Sequence, residues 1–202
     1  LHSVVRRQRQ MCIRDSGSST RQVIPFNEDY LGRMSESDRE FFSLIKEALD
    51  DERIGRKFFS LLLPGIQERK GRKKPEDIVA FPKSGLFCDA SGYKIRPHKD
   101  VRTKLVTTQM YLPTDEKQES FGTSLYTRSF KGRINRELNK ISKVQRPEFE
   151  HLETFSFLPN SGYAFVVGEK SWHGREEIPE GMGNRYSLMN IYFEDNDVPF
   201  YD

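Results

Sequence analysis

The sequence predicts an α+β fold that is mainly β: a jelly roll (double-stranded β-helix) with N-terminal helices packed outside. Three observations point to it. Apolar residues recur at helical spacing over residues 35–63. From Ile78 onward the texture changes to short β-branched and aromatic runs broken by Gly, Pro, Asn and Asp. Seven or eight such runs after two helices suit a pair of sheets closing on each other, since each sheet has one face to bury. A chain of 202 residues with 35% hydrophobic and 12% aromatic content can build one core of ordinary size, so residues 20–202 are expected to form one domain, its jelly-roll core at about 78–195.

Residues 1–19 are polar, basic and without periodicity. The stretch 4–16 looks like translated sequencing-adapter read-through, so this segment is expected to be non-native or disordered, and His2 and Cys12 carry no weight. Ser37-x-x-Glu40 has the form of a capping box, with the serine oxygen taking an orphan backbone N–H, and predicts a helix start. Phe41, Phe42, Ile45, Ala48 and Leu49 follow at helical spacing. After Asp50-Asp51 a second run places Ile54, Phe58, Leu61 and Leu62 on one face until Pro64-Gly65 ends it. The charged run 68–77 reads as a solvated connector. Strands are expected at 93–98, 104–112, 123–128, 154–158, 163–167, 171–173 and 185–193. A short helix is expected within 131–143, where Ile134, Leu138 and Ile141 have helical spacing, and Gly181-Met182-Gly183 reads as the turn into the last strand.

Lys+Arg of 33 against Asp+Glu of 30 leaves a formal charge of +3, so bulk electrostatics do not argue for a nucleic-acid or membrane-surface partner. Cys12 and Cys88 are the two cysteines, too few for a disulfide framework or a four-thiolate zinc site, and a reducing compartment is the default. Cys88 is expected to be a small buried hydrophobe. No apolar run approaches the roughly 20 residues that span a bilayer, and the expectation is a soluble, cytoplasmic protein.

The chemistry is carried by His98-Lys99-Asp100, by the distant His173 and by Arg185. In a strand, side chains at i and i+2 point to one side, so His98 and Asp100 can turn inward together. Two histidines and one carboxylate can occupy one face of an octahedral metal and leave three positions for ligands, the arrangement of non-heme Fe(II) oxygenases. The tripeptide alone is a weak signal, and its surroundings strengthen it.

Gly92 to His98 with Lys99-Asp100, Thr107 to Pro113, Gly122-Thr123-Ser124-Leu125, Phe157 to Gly162, Ser171-Trp172-His173-Gly174 and Gly183 to Leu188 together resemble the 2-oxoglutarate/Fe(II)-dependent dioxygenases, in particular the prolyl-hydroxylase-like branch. The resemblance covers about half the chain. It implies that His98, Asp100 and His173 bind Fe(II), that Arg185 holds the far carboxylate of 2-oxoglutarate through its planar fork, and that Ser187 and Tyr111 add hydrogen bonds to the same carboxylate. Tyr93, Tyr126, Arg128 and Trp172 are candidates for substrate or near-metal contacts, although Trp172 also reads as a core aromatic. His151, in the charged run 148–153, reads as solvated. Cys88 stands where related hydroxylases can place a tyrosine near the co-substrate.

The implied reaction is decarboxylation of 2-oxoglutarate to succinate and CO2, with O2 as second co-substrate, coupled to hydroxylation of an aliphatic carbon in an amino acid, protein side chain or small metabolite. Ascorbate is a candidate addition. Substrate choice is expected to lie with loops at 78–89 and 130–153. Two rivals remain at this level. One is a non-catalytic jelly roll with a structural metal. The other is a nucleobase demethylase, a branch that usually carries a second arginine six residues after the first, where this chain has Ile191.

Overall fold

The computed structural model describes residues 13–14, 20–142, 144, 146–198 and 200. Two antiparallel sheets enclose a cavity, as the β-dominated expectation required. The larger has the order β1-β2-β3-β10-β5-β8 and the smaller β4-β9-β6-β7. These strands are β1 Ile13–Arg14, β2 Arg21–Pro25, β3 Phe81–Asp89, β4 Ile95–His98, β5 Lys104–Leu112, β6 Ser124–Thr127, β7 Glu150–Thr154, β8 Gly162–Val166, β9 His173–Arg175 and β10 Arg185–Phe193. Among the described residues five α-helices accompany them: α1 Glu28–Leu31, α2 Glu36–Asp50, α3 Glu52–Leu61, α4 Leu63–Lys70 and α5 Phe130–Asn139. Apart from Ile13–Arg14, the expectation for residues 1–19 lies outside the described residues. Among the described residues no helix is long and apolar enough to cross a membrane.

Alternation along the large sheet divides its two faces. Leu86 of β3, Met110 of β5 and Leu188 of β10 pack with Ile24, Phe26, Phe42 and Leu49 beneath α2. Val106 of β5 and Tyr192 of β10 pack with Phe59 of α3 and Ile66 of α4. The residues between them, among them Gln109 and Arg185, turn to the cavity. Tyr93, Tyr111, Phe121, Phe157 and Ile178 form a third apolar cluster, from which Tyr93 reaches the cavity wall.

Several boundaries differ from the sequence expectation, each for a local reason. The cap of α2 is Ser35, whose Oγ accepts from the Asp38 N–H at 3.3 Å, so the helix begins ahead of the Ser37 box. Pro64 does not end the helical region. It lies in the first turn of α4, where its missing N–H would have had no helical partner. The first part of the charged run is therefore helical, and Arg69 donates from Nη1 to the carbonyls of Lys104 at 2.6 Å and Val167 at 2.5 Å, tying α4 to the strand layer.

β3, expected as a loop, pairs along its full length with β10 and also with β2. Pro82 and Gly85 read as turn residues, yet Gly85 serves close approach: a Cβ there would stand 2.8 Å from the Phe200 ring and 2.9 Å from the Ile24 carbonyl oxygen. The strand expected at 154–158 lies earlier, at Glu150–Thr154, and its exposed charged side chains suit an outer strand. The strand expected at 171–173 runs instead over His173–Arg175. The helix expected within 131–143 is α5, capped by Ser129, with Ile134 and Leu138 exposed. Cys88 is half-buried on the face of β3 turned away from Asp89, and does not line the cavity.

Candidate metal centre

β4 and β9 run antiparallel with His98 opposite His173, which sets the two imidazole centroids 4.3 Å apart. Gly174 makes this pairing close, since a Cβ there would meet the Ile95 carbonyl oxygen at 2.8 Å and force the strands apart. Asp100 follows His98 at i+2. Each of His98, Asp100 and His173 offers one ligand atom, and these atoms lie within 4.8 Å of one another.

Each ring is aimed by a backbone carbonyl. His98 Nδ1 bonds the Arg96 oxygen at 3.1 Å and His173 Nδ1 the Ser171 oxygen at 3.0 Å. A carbonyl only accepts, so each Nδ1 carries a proton and each Nε2 is the nitrogen left to meet a cation. Burial, reinforced by His98, holds the His173 imidazole below its usual range and so in the neutral form a metal needs. Burial pushes the Asp100 carboxyl upward, but Lys104, His173 and the Thr107 hydroxyl outweigh it and the group lies below the usual carboxylate range. Thr107 Oγ1 donates to Asp100 Oδ2 at 2.8 Å, and Lys104 Nζ approaches Oδ1 at 3.1 Å. Two imidazoles and a carboxylate, aimed by their neighbours, fit a divalent transition metal.

The cavity extends from these residues to Arg185 with a volume of about 660 Å3, within the range of small-molecule sites. Arg185 is 2% exposed. Its Nε donates to the Phe121 carbonyl at 2.7 Å, Nη1 to Asp89 Oδ2 at 2.9 Å, and Nη2 to Gln109 Oε1 at 3.3 Å. Asp89, fully buried, also receives a fork from Arg21, with Nε at 2.6 Å and Nη2 at 3.1 Å. The Arg21 guanidinium lies 4.1 Å from the centroid of the Tyr93 ring. Gln109 is the hub between these groups: its Oε1 accepts from Tyr163 Oη at 2.8 Å and its Nε2 donates to Ser187 Oγ at 2.7 Å.

Other residues singled out in the sequence are dispersed. Ser187 is fully buried behind Gln109, and the Tyr111 hydroxyl accepts from the Thr123 backbone N–H at 3.0 Å; neither lines the cavity. Tyr93 does line it, and burial pushes its phenol up to about 12. Tyr126 bonds Glu176 through its hydroxyl, and its phenol is pushed up to about 12 by burial and by that carboxylate. Arg128 lies over the Trp172 ring, 4.6 Å from its centroid, with Phe149 on the same indole at 4.8 Å. Tyr126, Arg128 and Trp172 stand apart from the cavity wall. His151 is exposed on β7.

The sequence reading passed over Asp89, Arg21, Gln109, Lys104, Thr107 and Arg175. Arg175 had a usable signal. It stands two residues after His173 on the same strand, so it faces the same cavity. It is 6% exposed, its side chain makes no hydrogen bond among the described residues, and its Nε is left buried without a partner. Burial and the charge of Arg185 lower its pKa to about 10.

No protein-family model and no curated protein sequence matches the chain. Among solved structures it is similar to a prolyl hydroxylase from Trichoplax adhaerens in complex with a hypoxia inducible factor oxygen degradation domain peptide fragment. The identity is 12% and the TM-score 0.54, with 96% of this chain and 76% of that chain covered. It is also similar to an oxidoreductase of the 2OG-Fe(II) oxygenase family from Burkholderia pseudomallei, at 13% identity and a TM-score of 0.50, with 96% of this chain and 79% of that chain covered. At such identities the likeness is one of fold.

Proposed function

We propose that this protein is an Fe(II)- and 2-oxoglutarate-dependent dioxygenase that hydroxylates an aliphatic carbon of an amino acid, protein side chain or small metabolite, with release of succinate and CO2. The observation that supports it most directly is the convergence of His98, Asp100 and His173 within 4.8 Å, in a cavity that also holds the buried Arg185. His98 and His173 would bind the metal through Nε2, and Asp100 through a carboxylate oxygen. Fe(II) bound there supplies dioxygen activation, with one oxygen atom ending in succinate and the other in the hydroxylated product.

Arg185 would take the far carboxylate of the keto acid. Asp89 and the Phe121 carbonyl already fix the plane of its guanidinium. The 3.3 Å contact from Nη2 to Gln109 is the longest of its bonds and the one a carboxylate would displace. Gln109 loses little in that exchange, because the Tyr163 hydroxyl still donates to its Oε1. Ser187 and Tyr111 would act as positioning groups, Ser187 on the Gln109 amide and Tyr111 on the Thr123 backbone. The Trichoplax enzyme is in complex with a peptide fragment, which supports a peptide or small-molecule substrate.

The test is succinate formation by purified protein supplied with Fe(II), 2-oxoglutarate and candidate substrates. Turnover is expected to require both additions and to vanish in His98→Ala and His173→Ala. Unchanged turnover in either variant would remove the proposal, and metal binding without keto-acid binding would favour the non-catalytic jelly roll.

A further inference from the structure

Five cationic side chains line the cavity: Arg21, Lys94, Lys104, Arg175 and Arg185. Four of them have carboxylate partners. Lys94 pairs with Glu177 at 2.6 Å and Lys104 with Asp100 at 3.1 Å, while Arg21 and Arg185 share Asp89. Arg175 has none. Its Cζ lies 5.1 Å from the centroid of the Phe121 ring. The adjacent Glu176 points to the other side of the strand, onto Ser124 and Tyr126. A residue 6% exposed whose guanidinium leaves its Nε orphaned is a costly arrangement unless a ligand completes it.

Co-substrate alone does not complete it. If the far carboxylate of 2-oxoglutarate settles on Arg185, that charge is met there, and a cavity of about 660 Å3 leaves room beyond a five-carbon diacid. We propose that Arg175 is the anchor for a free carboxylate on the substrate, so that the enzyme oxidises a carboxylic acid at a carbon close to its acid group. This rests on the reading that Arg185 takes the keto acid. The distance limits the substrate: side chains at i and i+2 of a strand start roughly 7 Å apart, so a carboxylate on Arg175 holds the next few carbons beside the His173 imidazole. The acid can be a small molecule or the C-terminus of a peptide, because the guanidinium fork recognises the same group in both.

The experiment uses the whole protein loaded with Mn(II), under nitrogen and with saturating 2-oxoglutarate, and reads proton line-broadening of four probes. These are butyrate, butyramide, penta-alanine with a free C-terminus, and penta-alanine amide. Butyrate is expected to broaden and butyramide not to; broadening of the penta-alanine acid as well would extend the site to chain termini. In Arg175→Gln, affinity for butyrate should fall about tenfold or more, as losing hydrogen bonds to a charged group implies. Arg175→Lys should restore part of it. Affinity for 2-oxoglutarate, measured by calorimetry, should stay within about twofold of wild type in Arg175→Gln and be lost in Arg185→Gln.

Equal binding of acid and amide, no binding of butyrate to wild type, or unchanged butyrate binding in Arg175→Gln overturns the assignment. So does a loss of 2-oxoglutarate binding in Arg175→Gln as large as in Arg185→Gln, which would make Arg175 part of the co-substrate clamp. Saturation-transfer measurements of butyrate on metal-free protein run alongside. If the keto acid fails to bind wild type, the reading of Arg185 falls, while the loss or persistence of butyrate transfer in Arg175→Gln still decides Arg175.

Discussion

At the triad end of the cavity each side chain of the proposed metal site is held by a neighbour: the two Nδ1 atoms by backbone carbonyls, and the Asp100 carboxylate by Thr107 and Lys104. At the far end three arginines gather around one carboxylate, Asp89, which reaches only two of them. One end is oriented in advance for a cation, and at the other Arg175 has no carboxylate partner among the described residues. Orientation by neighbours is what gives a metal site its affinity. Unmet charge in a buried place is instead a cost to the fold that a bound anion can offset.

The largest effect expected from this contrast separates two residues of the arginine end. Asp89→Asn leaves Arg21 and Arg185 without their shared counter-ion, and should destabilise the protein by about 3–5 kcal/mol, the usual consequence of removing one partner from a buried pair. Arg175→Met removes a cation that has no carboxylate partner among the described residues, and should cost little stability in the ligand-free protein. Urea titration of both variants checks this. Equal losses would mean that Arg175 is paired in solution after all, and the contrast between the arginines would collapse.

Next in size is the response to metal. With metal at about a hundred times its dissociation constant, wild type should gain about 2.7 kcal/mol of stability, and His98→Ala should gain none. Co(II) or Fe(II) added during thermal unfolding reads this as a rise in Tm. A similar rise in Asp89→Asn would show that the triad end works independently of the arginine cluster, whereas its loss there would tie the two ends together.

How much of this was legible in the sequence varies along the chain in the same uneven way. β5 and β10 stood out because no Gly or Pro interrupts their apolar, β-branched and aromatic residues, and both match the expected limits. His98 and Asp100 could be placed on one side of a strand from spacing alone, and His173 from its surroundings. β3 was hidden because Pro82 and Gly85 carry turn chemistry, while its place between β2 and β10 depends on contacts far away in sequence. With β3 went Asp89, whose partners Arg21 and Arg185 lie 68 and 96 residues away. Arg175 was masked by Glu176 and Glu177, since a run of three charges looks like a solvated face. The i+2 rule that paired His98 with Asp100 applies equally to His173 and Arg175, and would have found it. Ser187 and Tyr111 show the opposite limit: family position placed them at the co-substrate, while the side chains that intervene, Gln109 and Thr123, emerge only from packing.

The smallest predicted effect probes the orientation of Asp100. Thr107 stands on β5 and its hydroxyl donates to Asp100 Oδ2 at 2.8 Å, while Lys104 reaches the other oxygen at 3.1 Å. Thr107→Val keeps the shape of the side chain and removes that hydrogen bond. The carboxylate then has Lys104 alone to aim it, a flexible ammonium whose own charge opposes a divalent cation. Metal affinity should fall about ten- to hundredfold, the range found for groups that orient a ligand without touching the metal. Butyrate affinity, set at the arginine end, should not change. Calorimetric titration of Co(II) and the butyrate measurement on the same variant give both numbers. An unchanged Co(II) affinity would mean that Lys104 suffices to hold Asp100, and the triad end would then be less tightly specified than its hydrogen bonds imply.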